Sequence, residues 1–147
     1  LLVDLLGYSL YKAYKAGIAE GTPYPKWTAI RDGKEYTMRN GILTKWKGLR
    51  FTEGTAKKSL IANYVYWHWM KDQASITTGT GEKVANNQNA VNASPVNKMV
   101  DAWNQMVEWN WALLEFLLSN ETDYPEFQEH YPRIPYSIVR KQNVLGI

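Results

Sequence analysis

Two histidines, His68 and His130, are the only imidazoles in this 147-residue chain, and it has no cysteine. A helical metal site built on His68 would want a second ligand one turn away, and the residue at i+4 is Asp72. One His and one Asp do not make a coordination set, so His68 is expected to be a packed imidazole within Tyr66-Trp67-His68-Trp69. His130 follows Glu126 and Glu129 without a helical register to bring the three together. Thr77-Thr78-Gly79-Thr80-Gly81 has the glycines of a phosphate loop, but it lacks the Lys-Ser/Thr ending and follows a helix rather than a strand. It is expected to be a Gly-rich loop ending the helix before it.

Acid and nucleophile chemistry fares no better. Glu53, Glu108 and Glu115 could serve as general acids, yet no spacing selects a pair across a cleft. The serines lack a Gly-x-Ser-x-Gly setting. Lys45-Trp46-Lys47 and Lys26-Trp27 could stack nucleic-acid bases. In a strand, however, Lys45 and Lys47 point opposite to Trp46, which suits a buried indole with wet lysines behind it. The expectation is a protein that is not an enzyme and that uses no metal or cofactor.

The elements that would carry these residues are mostly helical. Leu2, Leu5, Leu6, Leu10, Ala13 and Gly17 recur at three- and four-residue spacing and predict a helix over 2–19, ended by Gly21, Pro23 and Pro25. Residues 27–51 change character. Asp32-Gly33 and Asn40-Gly41 are turn dipeptides flanking Lys34-Glu35-Tyr36-Thr37 and Ile42-Leu43-Thr44-Lys45-Trp46, which predicts a small hairpin insertion that must pack on helices. A second helix is predicted over 55–75, apolar or aromatic almost all round and therefore central or at an interface. A polar loop runs from Thr77 to Asn92. Ser94-Pro95 suits the start of a third helix ending near Asn120. Its stripe contains Trp103, Met106, Asn110, Leu113 and Leu117, of which Trp103, Met106, Leu113 and Leu117 are expected to pack on the aromatic helix, while Trp109, Trp111 and Phe116 lie off that stripe. A short helical turn is expected over 126–129. Beyond it, Pro132 and Pro135 forbid a regular helix, and the chain reads as an extended apolar arm.

The fold class is thus mainly α: a compact helical domain over 1–130 with three main helices and a small β-hairpin, then an extended C-terminal arm over 131–147. The absence of cysteine excludes a disulfide framework and fits assembly in a reducing compartment. No apolar run reaches membrane-span length, and no signal peptide is visible. The opening Leu1-Leu2-Val3-Asp4 lacks an initiator Met and a capping residue, so residues are expected upstream. The net charge of +3 hides an imbalance. Residues 1–71 hold twelve Lys/Arg against five Asp/Glu, and residues 72–147 hold five against nine. Opposite charge in the two halves suits contacts between copies. With 7 Trp and 10 Tyr, the chain also carries more large flat surface than one small core requires.

The order of motifs resembles a known family. Leu5-Leu6-Gly7-Tyr8-Ser9-Leu10-Tyr11 is followed by Trp27-x-x-Ile30-x-x-Gly33-x-x-Tyr36, Trp46-Lys47-Gly48-Leu49 and Tyr64-Val65-Tyr66-Trp67. A Thr-Gly-x-Gly loop and an Asn-rich stretch lead to Ser94-Pro95-Val96-x-Lys98, then Ala102-Trp103-Asn104-x-Met106-Val107, and the chain closes on Asn143-x-x-Gly146-Ile147. This is similar to the small head-to-tail connector (neck adaptor) proteins of tailed bacteriophages, in the form found in phages of Bacteroidetes-type hosts. The resemblance implies a structural virion protein of the neck, assembled in the host cytoplasm as a homomeric ring joining the portal to the tail. The partners it implies are copies of the chain itself, the portal protein and the adjacent neck or tail protein. It implies no membrane and no specific nucleic acid, DNA passing only through the ring lumen, and it transfers no catalytic residues. The hairpin insertion departs from the simplest helical adaptors.

Expected partner-binding residues lie in the arm, at Ile134, Tyr136, Ile138, Val139, Arg140 and Leu145, and in the polar loop, at Thr78 and Asn87. Segment 131–147 has three positive charges and no acid, and its apolar side chains need a groove or a sheet edge. Tyr136 and Ile138 are the anchors, and the alternative is that the arm folds back over its own helices. Two other functions fit the same residues: a helical accessory subunit of another large complex, or a small nucleic-acid-binding module.

Overall fold

The computed structural model describes residues 1–20, 24–51, 58–74, 76–78, 81–83 and 96–128. These form six helices and two short hairpins: α1 Leu2–Leu6, α2 Tyr8–Ala19, α3 Pro25–Asp32, β1 Lys34–Thr37, β2 Leu43–Trp46, α4 Leu60–Ala74, β3 Ile76–Thr78, β4 Gly81–Lys83, α5 Val96–Ser119 and α6 Pro125–Gln128. The fold is mainly α, with α2, α4 and α5 as its three long helices.

The first helical stretch is split. Gly7 adopts φ 75°, ψ 159°, a conformation that excludes other residue types, and it ends α1 before α2 begins. The expected single helix over 2–19 is corrected accordingly, while its apolar face survives the break: Leu5, Leu6, Leu10 and Tyr14 are all buried. Pro25 likewise starts a helix rather than ending one. It occupies the first helical positions of α3, where its missing N–H costs nothing. Sequence spacing missed α3 because its eight residues hold little more than Trp27, Ala29 and Ile30 as a buried side.

The first hairpin pairs antiparallel with Tyr36 opposite Thr44 and Lys34 opposite Trp46. One of its faces is buried through Tyr36 and Trp46, and the other sets exposed Glu35 against exposed Lys45. The hairpin packs on α5: Trp46 stacks on Phe116 at 6.3 Å, and Tyr36 meets Phe116 edge-on at 5.2 Å. The indole of Trp46 donates a 3.0 Å hydrogen bond to the carbonyl of Ile30 at the end of α3.

Helix α4 starts at Leu60, later than the expected Thr55, because Ser59 caps it: the Ser59 hydroxyl accepts the Ala62 N–H at 3.0 Å. Its most extensive neighbour is α5. Trp67 lies 4.7 Å from Trp103, and the Asn63 amide donates to Gln105 Oε1 at 2.8 Å across the seam. Trp103, Met106, Leu113 and Leu117 are all buried on the α5 stripe. The helix ends at Ser119, and the Asn120 amide donates to the Phe116 carbonyl beyond it. The turn that follows folds Tyr124 and Phe127 back into the core, where the Tyr124 hydroxyl donates to the Lys26 carbonyl at 2.8 Å.

The expected polar loop from Thr77 is corrected in its first part. Residues 76–78 and 81–83 pair as an antiparallel hairpin with Thr78 opposite Gly81. The β-branched Ile76-Thr77-Thr78 run and the glycines beside it are a hairpin signal that the phosphate-loop comparison obscured.

Candidate partner-binding surface

Among the described residues, no three His, Asp or Glu side chains cluster to hold a metal. His68 is half-buried on α4, with its ring 4.3 Å from Tyr64 and 4.8 Å from Trp67. Asp72 is exposed. The aromatic–basic pairs weighed for base stacking are used in packing. Trp46 is buried, and Trp27 is buried against α2, where a methyl group added to Gly17 would sit 2.0 Å from the Trp27 ring nitrogen. Glu108 and Glu115 both lie on the outward side of α5, not across a cleft.

Thr78 falls at the end of β3. Asn87, His130 and the arm residues Ile134, Tyr136, Ile138, Val139, Arg140 and Leu145 lie outside the described residues.

Surplus apolar surface appears instead on α4. The helix is apolar or aromatic on both sides, and among the described residues α5 and the core cover one of them. Leu60 is fully buried, and Ile61, Tyr64 and Trp67 pack against the core. On the outward side, Val65 is 57% exposed and Trp69 is 55% exposed, with Tyr66 between them and its ring 6.4 Å from that of Trp69. Together with Leu49, Phe51 and Ile61 these residues line an open groove of about 910 Å³, and Arg50 is the charged side chain on its rim. An apolar face rimmed by charge is the surface expected of a binding site.

The α4 groove was only half visible in the sequence. The all-round apolar pattern of the helix predicted over 55–75 marked it as central or at an interface, but spacing alone could not say which side α5 would take. The three off-stripe aromatics of α5 separate in the same way. Phe116 is buried under the hairpin. Trp109 is half-buried with its ring 5.9 Å from Phe51. Trp111 is 62% exposed.

Hydrogen bonds from the Arg31 guanidinium, with Arg50 nearby, keep Asp32 below the usual carboxylate range. Burial pushes the phenols of Tyr14, Tyr36 and Tyr124 up. Among the described residues, no helix is long and apolar enough to cross a membrane. No family model, curated protein or solved structure matches this chain.

Proposed function

We propose that this chain is a structural virion protein of a phage neck that forms a homomeric ring joining the portal to the tail, without catalysis. The observation that carries the assembly part of this reading is the outward face of α4. Val65, Tyr66 and Trp69 form a contiguous apolar face beside an open groove, a surface suited to a partner. In the proposed ring, a neighbouring copy covers that face. The resemblance in motif order supplies the neck location.

The test is negative-stain microscopy and mass photometry of the intact chain. Closed rings of identical copies are the expected result. A chain that stays monomeric at concentrations of hundreds of micromolar, or that enters large particles only with unrelated partners, would overturn the ring and favour an accessory subunit.

A further inference from the structure

We propose that the outer edge of β2 pairs antiparallel with β2 of a second copy of this chain about a two-fold axis at Thr44, joining the two hairpins into one sheet. The contact uses the first hairpin rather than α4, and it goes beyond the ring reading without depending on it.

The turn of the hairpin fixes which backbone groups point outward. The Gly41 N–H donates to the Met38 carbonyl and the Met38 N–H donates to the Ile42 carbonyl, both at 2.8 Å, with Gly41 at φ 85°. Further along, Tyr36 stands opposite Thr44 and Lys34 opposite Trp46. Bonded pairs alternate with unbonded ones along an antiparallel ladder. Tyr36–Thr44 and Lys34–Trp46 are therefore bonded pairs, and the N–H and C=O of Leu43 and Lys45 point away from β1. Among the described residues, no hydrogen bond takes them up.

Strand β2 also overhangs the domain. On the core-facing side of the hairpin, Tyr36 is buried and Met38 packs against the core. Across from them, Thr44 is half-buried and Ile42 is 58% exposed. On the other face, Leu43 is 71% exposed. An edge with unpaired backbone and bulky apolar side chains open on both faces is a template for another strand. The edge of β1 is different: its exposed side chains are Lys34, Glu35 and Thr37.

The strand fits itself in one register. With Thr44 opposite Thr44 of the second copy, Leu43 faces Lys45 of that copy and Lys45 faces its Leu43, so every outward N–H and C=O of the two strands is used. Leu43 lies along the aliphatic stem of the facing lysine, the threonines pair, and Ile42 lies beside Trp46 of the second copy. Lys45 is the one charged side chain of β2, and Glu35 of its own hairpin stands opposite it on the inner side. A register centred on Lys45 would set two ammonium groups against each other, and one centred on Leu43 would leave Lys45 facing the Gly41 turn. The two-fold contact closes on itself and leaves the α4 face for further assembly.

The chain has no cysteine, so single cysteines report the register. Residues facing each other in an unbonded antiparallel pair have Cα atoms about 4.5 Å apart, within disulfide range. Thr44→Cys, Leu43→Cys and Lys45→Cys are oxidised separately as full chains, and covalent dimer is measured over time. Thr44→Cys should dimerise about tenfold faster than the other two, whose counterparts lie on a diagonal. Leu43→Pro, added to Thr44→Cys, removes an outward N–H and no bond inside the hairpin. It should abolish the cross-link with little change in melting temperature. Lys45→Pro repeats this at the second outward N–H and serves if Leu43→Pro fails to fold. Equal rates at the three positions would mean random collision and overturn the pairing. Absence of a cross-link at all three, or a cross-link that survives proline in a folded chain, would give the edge to another strand and overturn it as well. The ring reading stands or falls separately, with the rings themselves.

Discussion

The two sides of α4 are built from the same kinds of residue and meet opposite fates. Facing α5, Trp67 packs on Trp103, and Asn63 is buried with its amide bonded to Gln105. Facing away, Trp69 and Val65 stand more than half exposed over an apolar groove. Aromatic content therefore does not distinguish core from surface in this chain; the position of α5 does. The inward side holds the fold together, and the outward side is left exposed among the described residues. Substitutions on the inward side should lower stability. Substitutions on the outward side should leave the monomer intact and change what it associates with.

The largest effect is expected at Leu113, fully buried on the α5 stripe. Leu113→Ala should destabilise the chain by about 2–5 kcal/mol, read as a shifted denaturant midpoint. A loss below about 0.5 kcal/mol would mean that the stripe is not core. Next comes Gly17, where α2 lies directly against the buried Trp27 ring. Gly17→Ala forces that ring aside and should cost about 1–3 kcal/mol, although alanine is the better helix former. A stabilised variant would contradict the close approach.

A smaller effect is expected at Tyr124. Tyr124→Phe removes the hydroxyl bonded to the Lys26 carbonyl and should cost about 0.5–1.5 kcal/mol at neutral pH. The pH dependence has a definite sign. Burial raises the folded-state pKa of Tyr124 above that of the unfolded chain. The stability this contributes is complete below the ordinary phenol range, about pH 10, and is lost as pH rises from there towards the raised value. Alkaline unfolding should therefore be shallower in Tyr124→Phe than in the wild type. Equal slopes would mean that Tyr124 titrates alike in both states.

The smallest effect on stability is expected at Trp69. Trp69→Ala should change the monomer by no more than about 0.5 kcal/mol, because more than half of the side chain is already in water. The same substitution should impair assembly. A loss of stability as large as that of Leu113→Ala would erase the distinction between the two sides of α4.

Much of the architecture was legible where a pattern was long or carried turn chemistry. The α5 stripe from Trp103 to Leu117 is buried as its spacing requires, and Asn40-Gly41 marks the turn between β1 and β2. The misreadings came from residues with two uses. Pro25 can stop one helix or start another, and which it does depends on Trp27 and Ile30 finding a core. Gly7 sits inside a helical pattern that its neighbours satisfy on both sides of a break. Thr77 and Thr78 read as loop because the glycines that follow dominate the local signal, yet they form the strand that pairs across to Gly81 and Glu82. The candidate surface was legible only in outline. Periodicity showed that α4 is apolar all round, but the covered side depends on tertiary packing. The arm residues from Ile134 to Leu145 rest on sequence pattern alone, outside the described residues.

Solvent footprinting of Trp69 against Trp103 tests the unused side of α4 most directly. Hydroxyl-radical oxidation of the intact chain would be read by mass spectrometry in a dilute monomeric sample and in the assembled fraction. Trp103 should react slowly in both. Trp69 should react readily in the monomer and be protected severalfold in the assembly. Equal reactivity of Trp69 in the two samples would contradict the claim that assembly covers the outward face of α4.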